Sequence, residues 1–234
     1  PFNTAKHKSY SMKAIILSAG RGERMQPLTN CTPKPLLEVG GKSLIEHTIK
    51  TLVNAGINNI VINYAHLGEQ FPSKLGDGSR YNATIEYSNE QDGRLETAGG
   101  IVKALPLLGE DPFLVVNGDI WTDYPFRELE KAKLNSKILC HLVLVNNPEH
   151  NPKGDFSLAS GLLSQAEQKK FTYSGIGIYH PSLFTNLKLE PKPLKPILLA
   201  AIADQQVSGE VYSGQWFDIG TVERLNALSN HLSR

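Results

Sequence analysis

Ala14-Ile15-Ile16-Leu17-Ser18-Ala19-Gly20-Arg21-Gly22-Glu23-Arg24-Met25 is the stretch on which the fold turns. Four apolar residues run without alternation, the pattern of a strand covered on both faces, as in a parallel sheet. The run ends in two glycines that free the backbone for conformations a Cβ disfavours, so amide N–H groups can converge on phosphate oxygens. Arg21, Arg24 and Lys34 add positive charge to the same concavity. A guanidinium forks onto phosphate oxygens, whereas an ammonium acts as a compact point charge. Lys34 stands between Pro33 and Pro35, whose fixed φ aims one ammonium. An ordinary glycine-rich turn with solvated arginines is the alternative, and the proline-flanked lysine argues against it.

Outward from this stretch the alternation of strand and helix repeats. Leu44, Ile45, Ile49, Leu52 and Val53 recur at helical spacing and stop at Gly56, a residue suited to the position after a helix. Asn59–Tyr64 and Ala83–Tyr87 read as strands, Ala98–Leu108 as a helix, and Phe113–Val116 as a buried strand leading into Asn117-Gly118-Asp119. This order predicts an α/β fold with a doubly wound, mostly parallel sheet, whose ligands collect beyond the carboxyl ends of the strands. The second half is richer in strands, with Lys137–Val145, Asp155–Leu163, Phe171–Tyr179 and Gly209–Ile219 reading as extended. Helices are expected over Tyr124–Leu134, over Leu194–Ala203 and, capped by Thr221, up to Leu232. No repeat or linker divides the chain, so 12–234 is expected as a single domain. Residues 1–11 are polar without an apolar stretch and read as an extension ahead of Met12, not as a signal peptide.

Across 234 residues, 24 Lys+Arg against 23 Asp+Glu give a net charge of +1. There is no global basic field of the kind that gathers nucleic acid or anionic membrane, so a polyanionic ligand must be small and held locally. No apolar run approaches the roughly 18 residues that span a bilayer. Cys31 and Cys140 are too few for a disulfide framework or a zinc cluster and read as free thiols of a reducing cytoplasm.

Asp119 follows an apolar strand into the same crevice as the glycine loop, where a magnesium ligand would sit. Asp218 ends the extended run Gln215-Trp216-Phe217-Asp218. Magnesium bound to phosphates takes only one or two protein carboxylates, so two separated aspartates suffice. Asp123 reads as a helix cap. Gln91, before the helix at Ala98, offers the donor and acceptor that the imide edge of uracil or thymine requires. Ala98, Gly99 and Gly100 are small enough to admit a base or sugar at that helix's N-terminus.

Gly20-Arg21-Gly22-Glu23-Arg24-Met25 with Lys34 between prolines, Asn117-Gly118-Asp119, and Phe217-Asp218-Ile219-Gly220-Thr221 resemble the motifs of the sugar-phosphate nucleotidyltransferases. The resemblance runs from about Met12 to Leu232. It implies a Rossmann-like sheet with a small strand-rich sugar-binding lobe, UTP and a sugar 1-phosphate as substrates, and Mg²⁺ as cofactor. It further implies catalytic roles for Arg24, Lys34 and Asp119, and a magnesium site on Asp119 and Asp218. Nucleotide contacts would come from Ala19, Gly20, Arg21, Gly22, Gln91, Thr97 and Gly118, and hexose contacts from Asp155, Tyr173 and Gly175. Leu95-Glu96-Thr97-Ala98-Gly99-Gly100 and Asn117–Asp123 are most similar to the uridylyltransferases that act on N-acetylmuramic acid 1-phosphate in cell-wall recycling. Two departures stand out: Glu96 replaces the family's usual glycine, and a Glu-Lys-Pro before the sugar-binding strand is absent, with Gln168-Lys169-Lys170 nearby. Guanylyl or thymidylyl transfer and a non-catalytic subunit are the rivals. A dinucleotide-dependent oxidoreductase would need a third glycine where Met25 stands.

Overall fold

The computed structural model describes residues 12–90, 95–132, 134–166 and 169–233. Its first half contains β1 (Lys13–Leu17), β2 (Glu38–Val39), β3 (Lys42–Ser43), α1 (Leu44–Asn54), β4 (Asn59–Tyr64), α2 (Gln70–Leu75), β5 (Thr84–Asn89), α3 (Glu96–Leu108) and β6 (Phe113–Asn117). The second contains β7 (Ile120–Thr122), β8 (Cys140–Val145), β9 (Phe156–Ala159), β10 (Leu162–Ser164), β11 (Lys170–Tyr179), α4 (Leu194–Ala203), β12 (Val207–Tyr212), β13 (Trp216–Asp218) and α5 (Val222–Leu232).

Nine strands form one sheet in the order β5-β4-β1-β6-β11-β8-β12-β10-β9. β5, β4, β1 and β6 are mutually parallel. Beyond β6 the sheet becomes mixed, because β11 runs against both β6 and β8, and β10 against both β12 and β9. β10 and β11 are thus the reversed strands, and the other members share one direction.

The continuous apolar run of β1 is explained by cover on both faces. Ala14 and Ile16 pack with Ile45, Ile49 and Leu52 of α1, while Ile15 packs with Ala98, Ile101 and Ala104 of α3. Ala14, Ile15 and Ile16 are all completely buried. Each large side chain so buried contributes about 1.5–3 kcal/mol, which fixes β1 inside the sheet between β4 and β6. α1 starts where the Ser43 N–H donates to Glu46 Oε2 at 2.9 Å, a capping box that satisfies an otherwise orphaned end, and is followed by Gly56 at φ +88°. The chain leaves β1 for β4 and β5 on one side and returns to β6 on the other. That reversal opens a crevice at the carboxyl ends of β1 and its neighbours.

Three expected elements take another form. Asp155–Leu163 is the hairpin β9–β10, turned at Ser160 and Gly161 with φ of +51° and +79°, the left-handed pair that a tight hairpin turn requires. Tyr124–Leu134 contains a 3₁₀ turn at Phe126–Lys131 in place of an α-helix. Gly209–Ile219 divides into β12, which stays in the main sheet, and β13, which leaves it to pair with β7.

Candidate active site

A cleft of about 650 Å³ opens at the carboxyl ends of the parallel strands. The whole loop from Leu17 to Met25 lines it, with Lys34 and Pro35, Asn63 and Glu90 at the ends of β4 and β5, Leu95–Thr97 at the start of α3, and Asn117 and Asp119 after β6. Ala19, Gly20, Arg21, Gly22, Arg24 and Thr97 therefore share one cleft with Lys34 and Asp119. Gly20 has open space where a Cβ would stand. Gly22, at φ +64°, has none: a Cβ there would come 2.9 Å from Thr29 Cγ2. Its carbonyl accepts from the Thr29 hydroxyl at 2.9 Å and the Met25 N–H at 2.8 Å, and Met25 is completely buried. The loop is thereby moulded by packing beneath it while its upper surface faces the cleft.

Lys34 is buried, and its Nζ lies 2.5 Å from Asp119 Oδ2. Arg21 and Arg24 are exposed on the cleft. Gly118 is not on the cleft surface. Its N–H donates to Leu17 O at 2.9 Å, and a Cβ there would stand 2.7 Å from Ser18 Oγ, so glycine serves the close approach of β6 to β1. A buried network braces the opposite wall. Asn63 Oδ1 accepts from the Ser18 N–H at 2.8 Å, and Asn63 Nδ2 donates to Glu90 Oε1 at 2.7 Å. Burial pushes the Glu90 carboxyl above its usual range, opposed by the Asn63 hydrogen bond, the Lys103 charge and the Leu95 N–H. Gln91 lies outside the described residues.

Asp218 reaches Asp119 through the backbone. The β13–β7 ladder sets Asp218 opposite Ile120, and the Ile219 N–H donates to Asp119 O at 2.8 Å. The Asp218 carboxylate accepts from Arg224 and stands 3.2 Å from His150 Nε2. Among the described residues no group of three or more His, Cys, Asp or Glu could enclose a metal. Asp119 lines the cleft, whereas Asp218 lies off its lining and is tied to Asp119 by the Ile219 backbone hydrogen bond; one or two carboxylates are the protein ligation that magnesium carrying phosphates takes. Asp123 caps no helix; its Oδ1 accepts from Tyr212 OH at 2.5 Å and Gln215 N–H at 2.8 Å, tying down the turn before β13.

A second cavity of about 500 Å³ adjoins the first and shares Glu96, Thr97 and Asn117 with it. Asp155, Phe156, Tyr173 and the start of α4 at Leu194, Lys195 and Leu198 complete it. Asp155 Oδ2 accepts from the Tyr173 N–H at 3.0 Å, and Lys195 Nζ is 3.9 Å from its Oδ1. Tyr173 lines the cavity, but its hydroxyl is spent on Tyr179 OH at 2.9 Å, and burial raises its pKa. Gly175, at φ +83°, lies behind Asn117, where a Cβ would meet Asn117 Nδ2 at 2.6 Å. The small residues of α3 also serve packing, not a ligand. A Cβ on Gly99 would strike the Glu190 carbonyl and one on Gly100 would stand 2.5 Å from Glu90 Oε1, while the Ala98 and Gly99 N–H groups donate to Lys192 O.

A family model described as Nucleotidyl transferase matches residues 13–159. The chain belongs to the nucleotidyl transferase family. N-acetylmuramate alpha-1-phosphate uridylyltransferase of Neisseria meningitidis serogroup B is 50% identical over 220 residues, covering 92% of this chain and 95% of that protein. Mannose-1-phosphate guanyltransferase of Hypocrea jecorina is 34% identical over 230 residues, covering 89% of this chain but 61% of that longer one. The inositol-1-phosphate CTP transferase of T. maritima shares the fold, with a TM-score of 0.76 at 16% identity over 96% of this chain and 98% of that chain. Within this nucleotidyl transferase, Asn63, Glu90, Asn117, Lys195, His150 and Arg224 join the site without having been expected. Asn63 and Asn117 carried a signal: each is a polar residue near the end of an otherwise apolar strand, where the carboxyl edge of the sheet meets its ligand.

Proposed function

We propose that the protein transfers a uridylyl group from UTP to a hexose 1-phosphate, N-acetylmuramic acid 1-phosphate before others, releasing pyrophosphate. The observation that carries this reading is the pair of adjoining cavities of about 650 and 500 Å³, one walled by the cationic glycine loop and the other by Asp155, Tyr173 and Lys195 among apolar side chains. The choice of sugar and of uridine is supported by the relative that is 50% identical over most of both chains.

In the proposed reaction a phosphate oxygen of the hexose 1-phosphate attacks the α-phosphorus of UTP in line, and the bond to the pyrophosphate oxygen breaks. The attacking oxygen is already anionic, so no side chain need remove a proton. The protein's task is to hold two mutually repelling anions in line and to neutralise the charge that gathers between them. Loop amides from Ala19 to Gly22 receive the phosphates, with Arg24 and Lys34 as charge partners. Lys34 and Asp119 hold each other beside the cleft, so the buried Lys34 charge has a partner. A magnesium ion held by Asp119 and Asp218 supplies Lewis-acid neutralisation of phosphate oxygens when bound. Gln91 is assigned the uracil edge, and Asp155, Tyr173 and Gly175 the hexose side, Gly175 acting through Asn117. Residues 12–234 work as one catalytic domain, and the reaction suits cytoplasmic reclamation of cell-wall sugar.

The test is a panel of UTP, GTP and dTTP crossed with N-acetylmuramic acid, mannose and glucose 1-phosphates, scored by pyrophosphate release with Mg²⁺. UTP with N-acetylmuramic acid 1-phosphate is expected to give the highest kcat/KM. Preference for GTP with mannose 1-phosphate would move the protein to the guanylyltransferases, and no release from any pair would overturn the reading.

A further inference from the structure

Five described residues other than glycine have a left-handed backbone: Leu67, Asn82, Glu96, Ser160 and Gln205. Four of them, Leu67, Asn82, Ser160 and Gln205, lie in turns away from both cavities, where such a conformation closes a loop. Glu96 differs. It opens α3 at φ +54°, it is exposed, and it is the one of the five that lines the first cavity and also the second. A glutamate gains nothing locally from this conformation, which glycine adopts freely. Strained residues held in place by over-determined surroundings concentrate at functional sites, and Glu96 is so held. The Leu95 N–H bonds the Glu90 carboxylate, Leu95 O accepts from the Lys192 N–H at 2.9 Å, and the Ala98 N–H donates to Lys192 O at 3.0 Å. The side chain makes no hydrogen bond or ion pair with another described residue.

We infer that Glu96 determines specificity at the waist between the two cavities, its carboxylate accepting hydrogen bonds from sugar hydroxyls of the bound substrates. The inference rests on the reading that the two cavities hold a nucleoside triphosphate and a hexose 1-phosphate. A carboxylate at the waist repels phosphate and attracts hydroxyl donors. It keeps the phosphates on the wall formed by Arg24 and Lys34 and takes up the ribose or the pyranose, each of which presents hydroxyls to be read.

Three variants separate the backbone from the carboxylate. Glu96→Gly relieves the left-handed strain and is expected to raise the melting temperature by about 2–4 °C, whereas Glu96→Ala, with its Cβ, is not. Both are expected to lower kcat/KM for UTP with the preferred hexose 1-phosphate by about 10–100-fold, with Glu96→Gln between them and wild type. The source of the hydroxyls is read by deoxy substrates. If Glu96 contacts the ribose, wild type discriminates UTP from 2′-deoxy-UTP or 3′-deoxy-UTP and the Gly variant loses that discrimination. If it contacts the hexose, the same holds for 4-deoxy or 6-deoxy hexose 1-phosphate. Unchanged discrimination against every deoxy substrate in an active Gly variant overturns the inference, as does a melting temperature that falls on Glu96→Gly. Wild-type protein that releases no pyrophosphate overturns the functional reading instead, and the strain argument is then still decided by the melting temperatures.

Discussion

The two cavities of the site are built in different ways. The first takes most of one wall from nine consecutive residues, Leu17 to Met25, and the rest from the tips of parallel strands. The second is assembled from residues distant in sequence: Asp155 and Phe156 at β9, Tyr173 in the middle of β11, and Pro193–Leu198 at the head of α4. Phosphate can be gripped by backbone amides, and one flexible loop supplies several of them at once. A sugar has to be read by separate side chains placed around it, and only the completed fold brings these together. The first cavity should therefore respond to single charges and the second to changes in packing.

The largest effect should come from Asp119→Ala, expected to abolish turnover while leaving the circular dichroism spectrum unchanged. It removes a proposed metal ligand and strips the buried Lys34 of its partner. A purified variant with full activity would break the contrast at its source. Lys34→Ala should follow, lowering kcat by about 10²-fold or more through lost stabilisation of transition-state charge. If KM rises and kcat stays level, Lys34 merely binds substrate and the first cavity works by affinity alone.

Gly175→Ala probes the second cavity through packing. Its Cβ would meet the Asn117 side chain at 2.6–2.9 Å in a left-handed backbone. The expected cost is about 1–3 kcal/mol of stability together with a raised KM for the hexose 1-phosphate, because Asn117 lines both cavities. A variant that loses affinity for UTP alone would show that Asn117 serves the nucleotide and would shrink the distinction drawn here.

The smallest effect should be a pH dependence centred on Glu90. Burial raises its folded pKa above the ordinary carboxylate value. Such a group stabilises the fold fully below its unfolded pKa and loses that contribution as pH rises through the folded value. Glu90→Gln carries no such proton, so its melting temperature relative to wild type should climb as pH rises above the ordinary carboxylate range. A difference that stays constant with pH would mean that Glu90 remains charged in its buried network.

Much of the first cavity could be read before the fold was known, because its residues lie together. Ala14–Leu17 and Phe113–Val116 mark buried strands by unbroken apolar runs, Asn59–Tyr64 by its apolar centre, and each leads to the cleft. The glycine loop and Lys34 converge on Asp119 as their spacing suggested. What escaped were residues whose role depends on partners far along the chain. Gly99 and Gly100 looked like an opening for a ligand but make room for Glu190 and Glu90. Asp123 looked like a helix cap but anchors Tyr212 and Gln215, almost ninety residues away or more. The β9–β10 hairpin read as one strand because its turn takes only Ser160 and Gly161. Asn63 and Glu90 brace the glycine loop through a network of buried hydrogen bonds that no local pattern marks.

The most direct measurement is a crystal structure of the protein with a UDP-hexose bound. Uridine is expected in the cleft of about 650 Å³, with its diphosphate beside Lys34 and Asp119, and the hexose in the cavity of about 500 Å³ against Asp155 and Tyr173. A ligand bound away from these walls, or one that leaves the second cavity empty with its hexose in solvent, would contradict the division of the site into a phosphate-gripping half and a sugar-reading half.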